Sequence, residues 1–118
     1  MVSTEITILG EVWKICEGTA DEFPALSDCD GYTDSSVRLI AIDDLTRSED
    51  KADAKADLAA YKKQVLRHEI VHAFLEESGL SNNAHFSASW ARDEEIVDWF
   101  AIQAPKIYKV FAELDILQ

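Results

Sequence analysis

His68-Glu69-Ile70-Val71-His72 sets two imidazoles four residues apart, with a carboxylate next to the first. On a helix such residues lie about 40° apart around the axis and roughly 6 Å along it, so both rings can grip one metal ion. Glu69 is turned about 100° from His68 and can lean over the open side of that metal, where a bound water would sit. This is the arrangement of a metal-activated hydrolase. The neighbours Val65, Leu66, Ile70, Val71, Ala73, Phe74 and Leu75 make the stretch apolar nearly all round, which predicts a helix buried within a domain. Arg67 can snorkel out of such a setting, but His68, Glu69 and His72 would be costly to bury without partners. The bland alternative is a pair of core histidines bonded to backbone.

A catalytic zinc takes three protein ligands, and two histidines leave it one short. Downstream, Asp93-Glu94-Glu95-Ile96-Val97-Asp98-Trp99-Phe100-Ala101 places Glu94 and Asp98 four apart on one helical face. Acidic pairs at this spacing are usually solvated helix surface. Glu95, 100° further round and beside Trp99, is the rival to Glu94.

A His-Glu-x-x-His helix followed on a later helix by Glu-x-x-x-Asp resembles the gluzincin metallopeptidases. Phe100-Ala101 after the second acid, on so short a chain, is similar to the small phage and mobile-element peptidases of the ImmA/IrrE-like group. The resemblance covers roughly residues 60 to 104 by motif and the remainder by strand-then-helix order. It implies that His68, His72 and Glu94 are zinc ligands and that Glu69 is the general base. It also implies that Asp98 accepts a hydrogen bond from the remaining ring N–H of a ligand histidine, fixing its tautomer and raising its basicity. The small ImmA-like proteins often carry Asn where this chain has Asp98, a departure toward the gluzincin pattern.

His85 lies between the two motifs. A metzincin would need a histidine six residues after His72, where Ser78 stands, so that pattern is excluded. A surface-loop histidine is the plain reading of His85, and a transition-state or substrate contact the functional one. A tetrahedral intermediate needs a donor besides the metal, and Tyr32, Tyr61, His85 and Arg92 are all candidates. Trp99, Phe100, Tyr108 and Phe111 read as core in preference to a specificity pocket.

These residues need elements to position them. Residues 5 to 17 are rich in β-branched and aromatic types and break at Gly10, which predicts two short strands around a tight turn. Residues 18 to 34 read as loop with a turn at Asp30-Gly31. Val37 to Ile42 reads as a further strand, giving a small, mainly antiparallel sheet whose exposed strand could pair with an extended substrate. A helix is expected from Ser48, or Thr46, through Leu58, Tyr61, Val65, His68, His72 and Leu75 to a stop at Gly79. Residues 79 to 89 read as loop, and Trp90 to Gln103 as helix. Ala104-Pro105 should close that helix, with a last helix from Lys106 to Leu117 docking through Ile107, Val110, Phe111, Leu114 and Leu117.

The 118 residues suit one domain with one modest core, and a hydrophobic content of 47% argues for a folded chain over a disordered one. The expected fold class is therefore α+β: a small sheet packed on a central His-Glu-x-x-His helix, followed by two further helices. Eleven Lys and Arg against 23 Asp and Glu give a net charge of -12, which disfavours nucleic acid and anionic membranes as partners. Cys16 and Cys29 lack Cys-x-x-Cys spacing and read as free thiols. No basic region followed by an apolar core begins the sequence, and no apolar run reaches a membrane span, so a cytoplasmic location is expected. The functional expectation is a zinc peptidase acting on a protein or peptide inside the cell, encoded by a phage or mobile element. A metal-stabilised binding module without turnover is the alternative.

Overall fold

The computed structural model describes residues 2–48, 55–82 and 92–118. Its architecture is α+β, a four-stranded mixed sheet with two long helices. Strands β1 (Val2–Ile8) and β2 (Glu11–Gly18) form the expected hairpin. Its two-residue loop, Leu9-Gly10, has φ of 51° and 87°, the left-handed values that match the twist of paired strands. Strands β3 (Gly31–Asp34) and β4 (Leu39–Asp43) form a second antiparallel pair. The two hairpins join through parallel pairing of β2 with β4, giving the order β1-β2-β4-β3.

This order corrects two expectations. β3 lies within a stretch that reads as loop, because Gly-Tyr-Thr-Asp has neither apolar alternation nor length. Val37 and Arg38 precede β4, and β4 itself is an inner strand bonded on both sides. Among the described residues the edges are β1 and β3, and β4 is bonded on both sides, so Leu39 to Ile42 is not a free edge for a substrate.

Helix α1 runs Leu58–Glu77. It starts at Asp57, whose side chain accepts from the Ala60 N–H, and not at Ser48 or Thr46, which form a single 3-10 turn over Thr46–Ser48. Residues 49 to 54 of the expected helix lie outside the described residues. The predicted stop holds: Gly79, at φ 84°, donates its N–H to Glu76 O. Burial is less complete than the composition suggests. Glu69 and Ala73 are buried, Val65, Leu66 and Ile70 are half-buried against a core of Ile8, Trp13, Ile15, Ile40 and Ile42, and Phe74 is exposed.

Helix α2 runs unbroken over Glu94–Glu113 with Pro105 inside it, where the sequence predicts two helices. It starts at Asp93, whose side chain accepts from the Glu95 N–H. Proline removes one donor from the helix ladder, that to the carbonyl four residues back, Ala101 O. Arg67 of α1 supplies the replacement: its Nε donates to Ala101 O at 2.7 Å. The helix continues because a side chain from its neighbour fills the missing bond, so Arg67 does not snorkel outward as expected.

α2 packs on α1 through Val97 and Ala101, both fully buried. The sequence reads Trp99 and Phe100 as core, and both are exposed. Tyr108, Val110, Phe111, Leu114 and Leu117 are exposed as well, so the C-terminal stripe does not dock among the described residues. No helix among those residues is long and apolar enough to cross a membrane.

Candidate metal centre

The packing of α2 on α1 brings the two sequence motifs together. His68 and His72 stack edge to face along α1 with ring centroids 4.8 Å apart, and their Nε2 atoms approach to 3.2 Å. From the first turn of α2, Glu94 reaches both: Oε2 lies 2.9 Å from His68 Nε2, and Oε1 lies 2.8 Å from His72 Nε2. Glu95 does not join them. His68, His72 and Glu94 are the one group of metal-ligating type among the described residues, with donor atoms within 4.8 Å of one another.

The face of His68 away from Glu94 is also occupied. Asp98 Oδ1 sits 2.7 Å from His68 Nδ1, so the ring donates Nδ1–H to the carboxylate. A neutral His68 in that tautomer turns the lone pair of Nε2 toward His72 and Glu94. With His72 in the same tautomer three acceptor atoms would converge, an arrangement that a shared cation would relieve. Zinc–nitrogen bonds of about 2.0–2.1 Å in a tetrahedron separate ligand atoms by roughly 3.3 Å, close to the distances found here. Glu94 and Asp98 remain about 63% and 55% exposed at the side chain, whereas the histidines are below 20%. The histidines thus form the wall of the site and the acids its rim.

Glu69 lies beside this group with its Oε2 3.9 Å from His68 Nε2, nearer to water-bridging than to direct contact. Its carboxyl is held by a residue that the sequence reading missed. Thr33 Oγ1 lies 2.9 Å from Glu69 Oε1 and 3.0 Å from the Glu69 carbonyl oxygen. Burial pushes the Glu69 pKa up; the Thr33 hydrogen bond and the two histidines oppose that shift, while Glu94 adds to it. A carboxyl kept closer to neutrality than an exposed one is better matched to accepting and returning a proton.

β3 can carry Thr33 to Glu69 because of Gly31. A Cβ at that position would stand 2.8 Å from Val65 Cγ1 and 3.2 Å from Glu69 Cγ, so only glycine lets the strand approach α1 this closely. A glycine opening a short polar run was the signal available in the sequence, but its meaning depends on a helix 34 residues away.

The group lines a cavity of about 700 Å³ that also takes in Tyr32, Tyr61 and Arg92. Tyr61 donates its hydroxyl to Asp30 Oδ2 at 2.5 Å, and this bond, with burial and the charge of Asp30, holds its pKa up to about 12. That phenol is engaged away from the histidines. Tyr32 carries a pKa raised first by burial and then by Asp34, so it stays a neutral donor. His85 lies outside the described residues. Cys16 is buried and Cys29 half-buried on the cavity wall; both are free thiols, and burial raises the pKa of Cys29.

The chain matches no protein-family model, no curated protein and no solved structure.

Proposed function

We propose that this protein is a zinc-dependent peptidase of minimal zincin-like design, with α1 as its central helix. The observation that carries this reading is the convergence of His68, His72 and Glu94 on one point at the cavity wall, with Glu69 alongside and Asp98 behind His68. Each member has a part in hydrolysis, and a purely structural zinc gains nothing from Glu69. Zinc held by the two imidazoles and Glu94 would supply a Lewis acid and lower the pKa of a bound water to about 7.

The chain's own residues do the rest. Asp98 fixes the His68 tautomer, so that Nε2 keeps its lone pair for the metal. Thr33 anchors one oxygen of Glu69 and leaves Oε2 turned toward the histidines to take a proton from water and return it to the leaving amine. Tyr32 and Arg92 line the same cavity and are the described donors placed to meet charge developing on the carbonyl oxygen. β3 is the sheet edge on the cavity. Its outer backbone groups suit an extended peptide, which transfers to Gly31–Asp34 the pairing role expected of Val37 to Ile42.

The test is Glu69→Gln, which keeps size and hydrogen-bonding capacity but removes the base. Metal content of untagged protein should equal that of wild type, while peptide hydrolysis falls by at least about 10² fold. With no substrate known, the assay compares wild type and variant on a host proteome for new N-termini. Absence of new termini with wild type at stoichiometric zinc, or equal production by the variant, would sink the peptidase reading and favour a metal-stabilised binding module.

A further inference from the structure

Pro105 and Arg67 stand 38 positions apart in the sequence and meet at one carbonyl oxygen. In a helix the N–H of residue 105 would bond to Ala101 O. Proline has none, so that oxygen lacks its ladder donor. Ala101 is fully buried, which denies the oxygen a water partner. The donor that reaches it is Arg67 Nε, at 2.7 Å, from the residue immediately before His68. This bond crosses between the helices at the level of the site. One turn from Ala101 toward the N-terminus lies Asp98, 2.7 Å from His68, and one turn further lies Glu94.

We infer that Arg67 is a positioning residue: by gripping the carbonyl that Pro105 frees, it sets the register of α2 against α1 and so holds Glu94 and Asp98 on the two histidines. α1 is the principal neighbour of α2, and Val97 and Ala101 are its buried residues. A contact through two small apolar side chains tolerates sliding. A directional hydrogen bond from a guanidinium to a single carbonyl oxygen does not, and it fixes the rotation and height of the helix. Proline is thus not a break in this helix. It is the device that makes a main-chain oxygen available to the partner helix, which a ladder bonded throughout would withhold.

The metal readout of the test rests on the zinc-site reading; the other two readouts do not. The variants are Arg67→Met, which keeps the apolar stem and loses the donor; Pro105→Ala, which returns an N–H to Ala101 O; and the two together. In metal-free protein, Arg67→Met should lower the melting temperature clearly in the Pro105 chain and far less in the Pro105→Ala chain, where the carbonyl is bonded within its own helix. Cobalt affinity, followed by the visible bands of the bound ion, should fall about tenfold or more in Arg67→Met. It should stay low in the double variant, because satisfying the carbonyl does not restore the cross-link. The His68 Nδ1–H resonance, expected downfield in metal-free wild type through its bond to Asp98, should be lost in Arg67→Met. If the double variant regains wild-type cobalt affinity, or if Arg67→Met loses stability but keeps both the cobalt spectrum and the His68 resonance, Arg67 merely satisfies a buried oxygen and the positioning role is overturned. If wild type binds no cobalt, the zinc reading fails by itself. The inference is then decided by the resonance: its loss in Arg67→Met upholds the positioning role, and its persistence overturns it.

Discussion

Glu94 and Asp98 meet opposite nitrogens of the His68 ring, and this separates what their removal should do. Glu94 reaches the Nε2 atoms and Asp98 reaches Nδ1. Glu94→Ala should therefore abolish stoichiometric zinc binding, while Asp98→Ala should weaken it by roughly 10 to 100 fold with the fold intact. Elemental analysis of the two variants beside Glu95→Ala checks the assignment, because full occupancy in Glu94→Ala and loss in Glu95→Ala would move the third ligand one residue along. Thr33 bonds to Glu69 and to none of the three proposed ligands. Thr33→Val keeps the β-branched shape that suits a strand and removes the hydroxyl, so zinc content should hold while hydrolysis drops by about tenfold or more. Equal loss of zinc would show that Thr33 supports α1 as a whole. The histidine pair, Glu94 and Asp98 were legible in the sequence because a helix converts spacing into direction without help from the rest of the fold. Thr33 was not, since its partner comes from another element 36 residues away.

At the scale of elements, the same contrast explains which boundaries could be read. Gly10 and Gly79 mark places where the backbone itself adopts positive φ, a local property, and both were legible. β3 and the continuity of α2 depend on tertiary partners. Four residues with one aromatic carry no strand signal until β4 pairs with them, and Pro105 reads as a break until Arg67 bonds to Ala101 O. The start of α1 was missed because Ala- and charge-rich sequence before Asp57 has helical propensity that does not decide the boundary. The approach of β3 to α1 makes a direct prediction. Gly31→Ala should cost about 1–3 kcal/mol by forcing Val65 or the strand to shift, and Val65→Ala in the same chain should recover part of that loss. Thermal unfolding of the two single variants and the double one measures it; a neutral Gly31→Ala would mean that the strand is not pressed on the helix. The other end of α1 is tied by Glu77, which accepts from Trp13 Nε1 at 2.9 Å and from Arg38 Nε at 2.6 Å. These bonds, Arg38 first, hold the Glu77 pKa below the ordinary glutamate range. Because the folded-state value is depressed, the stabilisation is present above the unfolded pKa of about 4.3 and is lost as pH falls through the folded value. The stability gap between wild type and Glu77→Gln should therefore be open at pH 7 and close as pH falls through the depressed folded value, and a gap independent of pH would remove Glu77 from the acid transition.

For the whole molecule, the site joins the part of the chain least secured otherwise. The sheet and α1 share the apolar core, whereas α2 rests mainly on α1 and exposes Tyr108, Val110, Phe111 and Leu114. The cavity also gathers Asp30, Glu69, Glu76, Glu94 and Asp98 on a chain of net charge -12, so a dication there would bridge the two helices and offset mutual repulsion. Ligand linkage sets the expected size: at free zinc about 100 times the dissociation constant, stability should rise by about 2.7 kcal/mol. For a chain of this length that corresponds to roughly 10 °C in melting temperature. The rise should be larger at low ionic strength, where the repulsion being relieved is less screened. Hydrogen exchange should slow most in α2, since that helix gains a second attachment while α1 already has the core. Chelation should reverse both effects, and His72→Ala should show neither. An equal rise in His72→Ala would assign the zinc to surface carboxylates or to free thiols, and protection spread evenly over the sheet and both helices would mean that the ion does not act by joining α2 to α1.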